Sequence, residues 1–272
     1  MSRIAGRFRK LAEEGRTALI PYVVAGDPGQ SHTVPLLHKL VESGADILEL
    51  GVPFSDPMAE GPVIQLAHER ALANGTTLSC ALDMVREFRA TDTTTPVLLM
   101  GYANPVMHMG FARFADAAAA AGLDALLTVD IPPEEVGAIN SELQRVGIDN
   151  ILLVAPTTPE ERIARIASSA SGFIYYVSLK GVTGAGHLDT TEVAARLATI
   201  RRHSDLPVAV GFGIKDAVSA KAVAETADGV VVGSALVSAM AQVIEQGGTP
   251  DAAIAAAAGL LGDIRGGIDG AA

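Results

Sequence analysis

Short runs of apolar, β-branched residues recur along the whole chain, and each is followed by a stretch with apolar residues at mixed three and four spacing. This is the pattern of a parallel sheet with crossover helices. Eight strands are predicted: Ala18 to Ala25, Asp46 to Val52, Pro96 to Met100, Ala125 to Asp130, Asn150 to Ala155, Phe173 to Ser178, Pro207 to Val210 and Gly229 to Val232. The helices between and after them are predicted over Ser31 to Ser43, Thr77 to Ala90, Phe111 to Ala121, Glu134 to Val146, Pro159 to Ser168, Thr190 to His203, Asp216 to Thr226 and Ala235 to Glu245. Pro133 with Glu134 and Glu135, and Pro159 with Glu160 and Glu161, read as acid-rich helix starts. Strands that are apolar nearly throughout are buried on both faces. Eight β-α units without a composition break therefore favour a closed (β/α)8 TIM barrel over an open doubly wound sheet, the runner-up. Two segments exceed the minimal barrel: a helix over Arg3 to Glu14, placed to plug the bottom, and an insertion after strand two, Gly61 to Ala73. One barrel domain is expected over residues 1–265, with a frayed tail over 266–272.

In such a barrel the loops after the strands build the active site. Gly211-Phe212-Gly213 after strand seven and Gly233-Ser234 after strand eight expose backbone N–H groups ahead of helices, where barrels commonly hold a phosphate. Gly181 to Gly186 supplies a further glycine wall and reads as a lid. Glu49 stands alone among Ile47, Leu48 and Leu50, so its carboxylate is expected to face the barrel mouth, where burial would raise its pKa and suit it to carry a proton both ways. An ion-paired carboxylate is the competing reading of Glu49. Glu60, on the following Pro-rich loop, is a second carboxylate within reach of the same mouth, although a loop Glu taken alone is usually solvated, as is Asp56. Tyr22, Tyr102 and Tyr175 are candidates to line a pocket for a flat, apolar substrate. Tyr176 points opposite to Tyr175 and belongs to core packing.

Charge and composition narrow the partners. With 31 acidic against 20 basic residues the net charge is −11, which disfavours nucleic acid and anionic membrane surfaces. Apolar residues make up 49 % of the 272-residue chain, enough for a large core. Cys80, the one cysteine, excludes a disulfide framework and reads as a small core side chain. The six histidines show no ligand spacing, and no metal is assigned. No apolar run is long enough to span a bilayer and no secretory signal is evident, so a cytoplasmic protein is expected.

The loop Glu49-Leu50-Gly51-Val52-Pro53-Phe54-Ser55-Asp56-Pro57-Met58-Ala59-Glu60-Gly61-Pro62 is similar to the signature of the tryptophan synthase alpha chain family around its catalytic glutamate. Gly26-Asp27-Pro28, Tyr102-Ala103-Asn104-Pro105, Ala155-Pro156-Thr157-Thr158-Pro159, Gly181-Val182-Thr183-Gly184-Ala185, Gly211-Phe212-Gly213-Ile214 and Val232-Gly233-Ser234-Ala235 extend the resemblance from Ile4 to about Leu261. It implies cleavage of indole-3-glycerol phosphate to indole and glyceraldehyde 3-phosphate. It also implies a beta-chain partner, as alpha2-beta2, that carries pyridoxal phosphate and joins indole to serine. No cofactor is expected in this chain.

By the same resemblance Glu49 is the acid-base residue. Glu60 stands where the family has Asp and would meet the indole N–H. Thr183, Gly184 and Phe212 join the tyrosines at the substrate, with Gly184, Gly211, Gly213, Gly233 and Ser234 at the phosphate. Asp56, exposed between Pro53 and Pro57, is expected at the partner interface. Glu60 adds a methylene to the family carboxylate, and Lys180 adds a cation beside the lid. A stand-alone lyase releasing free indole, and an impaired barrel kept as an allosteric partner, are the alternative readings.

Overall fold

The computed structural model describes residues 2–177, 190–211 and 213–270. Eight parallel strands close a barrel in chain order: β1 (Ala18–Val24), β2 (Leu48–Gly51), β3 (Val97–Gly101), β4 (Ala125–Thr128), β5 (Asp149–Val154), β6 (Ile174–Val177), β7 (Val208–Gly211) and β8 (Gly229–Val232). β1 pairs with β8 as well as with β2, so no sheet edge remains. Each strand lies within a predicted run or a residue of it. The closed barrel, rather than the open sheet, is the architecture.

Alternation along the strands sorts side chains into two layers. Ile20, Ile47, Leu98, Leu127, Ile151, Tyr175, Ala209 and Val231 fill the interior. Leu19, Leu48, Leu99, Leu126, Leu152, Tyr176, Val210 and Val230 face the helices outside. Tyr175 and Tyr176 thus part to opposite faces. Cys80 packs half-buried against the outer layer instead of being enclosed in it.

The helices are α1 (Arg3–Glu13), α2 (Gln30–Glu42), α3 (Pro62–Ala73), α4 (Leu78–Arg89), α5 (Ala103–Met109), α6 (Phe111–Ala121), α7 (Gly137–Val146), α8 (Glu160–Ser169), α9 (Thr190–Arg201), α10 (Ala217–Ala224), α11 (Ser234–Glu245) and α12 (Pro250–Ile268). α1 closes the amino-terminal end as expected. Its Ile4, Phe8 and Leu11 join the interior cluster, and the Phe8 ring lies 5.6 Å from that of Phe173. α3 is the insertion after β2, entered through Pro62 in its first turn and packed on β1 and α11.

Three expectations are corrected. α7 begins at Gly137, not Glu134: Glu135 closes a turn onto the Pro132 carbonyl, and Glu134 bonds Arg162 and Arg165 of α8 instead of serving a first turn. α5 escaped the pattern because it has only seven residues and Asn104-Pro105 reads as a turn. α12 is so rich in Ala and Gly that its two faces contrast little in sequence, yet it is the longest helix described and packs on α2, α10 and α11. It runs to Ile268, past the Gly266 at which fraying was expected. Its buried Arg265 holds Asp46 at 3.1 Å. No helix among the described residues is long and apolar enough to cross a membrane.

Candidate active site

Side chains that point inward at the carboxyl-terminal ends of the strands converge on the mouth. Tyr22 on β1 is in register with Glu49 on β2, which places both on the inner face side by side. Two glycines make room for the phenols. A Cβ on Gly51 would sit 2.3 Å from the Tyr22 hydroxyl, and one on Gly211 would sit 2.3 Å from the Tyr175 hydroxyl. Any side chain at either position would evict a tyrosine from the pocket wall.

Glu49 is 1 % exposed, and neither carboxylate oxygen has a hydrogen-bond partner among the described residues. Among the described residues no cation pairs with it, so the ion-pair reading finds no partner there. Burial, with the nearby charge of Glu60, raises its pKa from 4.5 to about 8. A carboxyl group so placed holds its proton at neutral pH and can still give it up. Burial also raises the Tyr22 and Tyr175 phenols well above their usual range. Glu60 and then Glu49 add to the effect on Tyr22, and Glu49 to that on Tyr175. Both tyrosines therefore remain protonated donors.

Glu60 is half-buried, and burial raises its pKa against the opposing hydrogen bond from Tyr102. The Tyr102 hydroxyl donates to Glu60 Oε2 and accepts the Ala59 N–H at 3.0 Å. Phe54 stacks on the Tyr102 ring at 4.8 Å, and Gln65 Nε2 donates to the Glu60 carbonyl at 2.9 Å. The loop between β2 and α3 is thereby held over the mouth, and the longer side chain of Glu60 is folded onto a fixed phenol. Asp56 is exposed on the same loop, where it accepts the Ser55 hydroxyl at 2.6 Å, and Met58 beside it is 79 % exposed.

The two glycine turns differ in the helix starts behind them. α10 is capped by Asp216, which accepts the Ser219 N–H at 2.8 Å, so a carboxylate already occupies that helix start. α11 begins at Ser234 behind Gly233, and no side chain caps it. Its first turn keeps backbone N–H groups uncapped by any side chain, the arrangement that suits an anion. Gly213 faces solvent at φ +76°, turning the β7 loop toward the same end. Thr183, Gly184, Phe212 and Lys180, and with them the segment Gly181 to Gly186 that the sequence reads as a lid, lie outside the described residues.

Sequence reasoning missed several groups. His68 of α3 is 1 % exposed, accepts the Phe54 N–H at Nδ1 (3.0 Å) and meets the Tyr22 hydroxyl at Nε2 (3.3 Å). Arg70 clamps the buried Asp27 through two bonds of 2.7 and 2.8 Å. Asp130 accepts the Ala103 N–H at 2.8 Å, fixing the start of α5. Among the described residues no group of three His, Cys, Asp or Glu side chains is placed to hold a metal. The arrangement is an enclosed carboxyl group in an apolar, tyrosine-walled mouth, with a second carboxylate and an uncapped helix start around it, and a carboxyl group so held can give and take a proton.

A family model described as tryptophan synthase alpha chain matches residues 8–260. The tryptophan synthase alpha chain of Thiobacillus denitrificans is 55 % identical over 271 residues, covering 100 % of this chain and 97 % of that one. That of Thioalkalivibrio sulfidiphilus is 57 % identical over 269 residues, with 99 % and 100 % covered. Among solved structures, the tryptophan synthase subunit alpha of Legionella pneumophila superposes with a TM-score of 0.92 at 46 % identity, covering 99 % of both chains. Tryptophan synthase of M. tuberculosis, in its aminoacrylate-bound form, superposes at 0.87 and 33 % identity, covering 98 % of this chain and 100 % of that one.

Proposed function

The chain belongs to the tryptophan synthase alpha chain family, and from that premise we propose that Glu49 carries both protons of its reaction. The reaction is the cleavage of indole-3-glycerol phosphate to indole and glyceraldehyde 3-phosphate. Breaking the bond between indole C3 and the side chain requires a proton on C3 and the loss of one from the adjacent hydroxyl. Glu49, protonated at neutral pH, gives its proton to C3, and the ring nitrogen takes up the positive charge. The carboxylate then accepts the hydroxyl proton. The O–H electron pair becomes the aldehyde C=O, and the pair of the broken bond returns to the ring, restoring neutral indole and protonated Glu49. No cofactor in this chain is needed. The observation that carries the assignment is the enclosed, unpartnered carboxyl of Glu49 at a barrel mouth.

Glu60 is assigned to the ring N–H, where its charge offsets the cation formed in the first step. Tyr22, Tyr102 and Tyr175 form the wall for the ring. The phosphate is assigned to Gly213 and the first turn of α11 at Gly233 and Ser234, together with Gly184. Gly211 is assigned a spacing role beside Tyr175 as well. Gly213→Asp should weaken binding of glycerol phosphate at least tenfold while leaving the melting temperature within a few degrees, since a carboxylate would face the anion. Unchanged affinity in isothermal titration would remove the loop after β7 from the phosphate site. Gly233→Asp is the less clean variant, because a Cβ there would press on Tyr22 at 3.3 Å.

Membership of the family implies a beta-chain partner. We place that partner on the loop after β2, with alpha2-beta2 stoichiometry and pyridoxal phosphate held by the beta chain. Asp56 and Met58 on the loop, and Met107 on α5 at the same end of the barrel, are exposed. Asp56→Ala should reduce activation by a beta chain severalfold and leave cleavage by the isolated alpha chain within about twofold, as an exposed rim charge allows. Equal losses with and without the partner would put Asp56 in the chemistry. Indole release from indole-3-glycerol phosphate, assayed with and without a beta chain, tests substrate and partner together: activity independent of the partner would favour a stand-alone lyase.

A further inference from the structure

His68 belongs to the insertion after β2 and joins two parts of the site that are far apart in sequence. Its Nδ1 accepts the Phe54 N–H at 3.0 Å, so this nitrogen carries no proton. The ring proton is then on Nε2, 3.3 Å from the Tyr22 hydroxyl, and His68 is the donor in that contact. Tyr22 accepts from α3, and its one phenol proton has no acceptor among the described residues. Tyr22 stands in register with Glu49, whose two oxygens also lack partners. An unspent donor and an unspent acceptor share the inner face of adjacent strands.

We propose that His68 is a positioning residue of the cleavage site: by donating to the Tyr22 hydroxyl it leaves the phenol proton free for the carboxylate that Glu49 becomes after protonating the indole ring. The idea rests on the assignment of Glu49 as the proton carrier. Donation to the ionised form makes that form easier to reach, so Glu49 becomes a stronger acid at the moment it must release its proton. Burial lowers the pKa of His68 to about 4, so one neutral tautomer persists across the working range. Among the described residues the titratable groups around Glu49 are Tyr22 from β1, Tyr175 from β6 and Glu60 from the loop. Those around His68 are Tyr22 and Asp27, the latter held by Arg70.

The test is a double-mutant cycle on steady-state indole release over a range of substrate concentrations, with thermal melting as a check on folding. Tyr22→Phe removes one oxygen, and His68→Phe keeps a ring but loses both hydrogen bonds. Each should lower kcat about five- to tenfold with KM changed less than about twofold, and the double variant should be no slower than the worse single one. His68→Gln, whose amide can accept from Phe54 and donate to Tyr22, should recover most of the loss. The alkaline inflection of the rate profile should move to higher pH in Tyr22→Phe, because ionised Glu49 has lost a donor. A merely looser pocket would admit water and move it lower. Additive losses, a KM effect alone, or an inflection that stays or falls would overturn the proposal. Retained activity in Glu49→Gln would instead defeat the assignment beneath it, whatever the cycle shows.

Discussion

Replacing Glu49 by Gln is expected to lower the rate of indole release by about 10² to 10⁴, the usual contribution of a positioned proton carrier, while substrate still binds. The amide keeps the shape of the side chain, but cannot give a proton to C3 or take one from the hydroxyl. A loss smaller than tenfold would mean that another group carries the protons. The same variant should change stability with pH. Glu49 titrates near 8 in the folded chain against 4.5 ordinarily. Below about pH 4.5 both folded and unfolded chains hold the proton, and the group contributes no difference. As pH rises toward 8 the unfolded chain releases it first, so wild type loses stability over that window. Glu49→Gln removes the loss. It should melt above wild type at pH 9 by a margin corresponding to as much as about 5 kcal/mol, with the margin vanishing near pH 4. A constant difference across pH would show that Glu49 is not enclosed as described.

Glu60→Gln is expected to lose most of the turnover, by about 10² to 10³, because the cation forming on the ring then has no counter-charge. The amide oxygen can still accept the Tyr102 hydroxyl, so the loop should keep its place and the melting temperature should barely move. Glu60→Asp tests reach separately from charge. Its carboxylate is drawn back by about one methylene from the point where Tyr102 now donates to it, and a misplacement of this size costs on the order of 10²-fold or less. Measurable activity is therefore expected. Single-turnover cleavage by wild type and both variants, with the beta chain saturating, makes the comparison. A Glu60→Gln enzyme as fast as wild type would make Glu60 a solvated loop residue.

How much of the fold and site is legible in the sequence depends on whether the signal is local. The strands can be read because a buried parallel strand is a short apolar run whatever its neighbours do. Glu49 stands out because a lone carboxylate in such a run has nowhere to go but the barrel end. That no described residue pairs with it cannot be read, since every candidate cation is distant in sequence. His68 is silent for the same reason: its partners, Tyr22 and the Phe54 N–H, lie 46 and 14 residues away and meet it only when α3 folds back over β1. The glycine turns after β7 and β8 look equivalent as sequence, and a single side chain, Asp216, separates a capped helix start from an open one. α12 escapes notice because its buried stripe, Ala253, Ile254, Ala257, Ala258, Leu261 and Ile264, is half alanine and its outer face carries Ala and Gly as well, which blurs the contrast between faces, whereas Glu134 and Glu135 imitate a helix start while belonging to a turn and an ion pair.

That Glu49 holds a proton at neutral pH is the claim on which the chemistry depends, and it can be observed without turnover. Carbon-13 NMR of protein labelled at the glutamate side-chain carboxyl, with the Glu49 signal assigned by its absence in Glu49→Gln, gives the titration directly. The expected result is one carboxyl that stays protonated through pH 7 and titrates with a midpoint near 8. A Glu49 signal that titrates with the ordinary carboxylates, near 4.5, would contradict the account, because almost no Glu49 would then carry the proton that cleavage must spend.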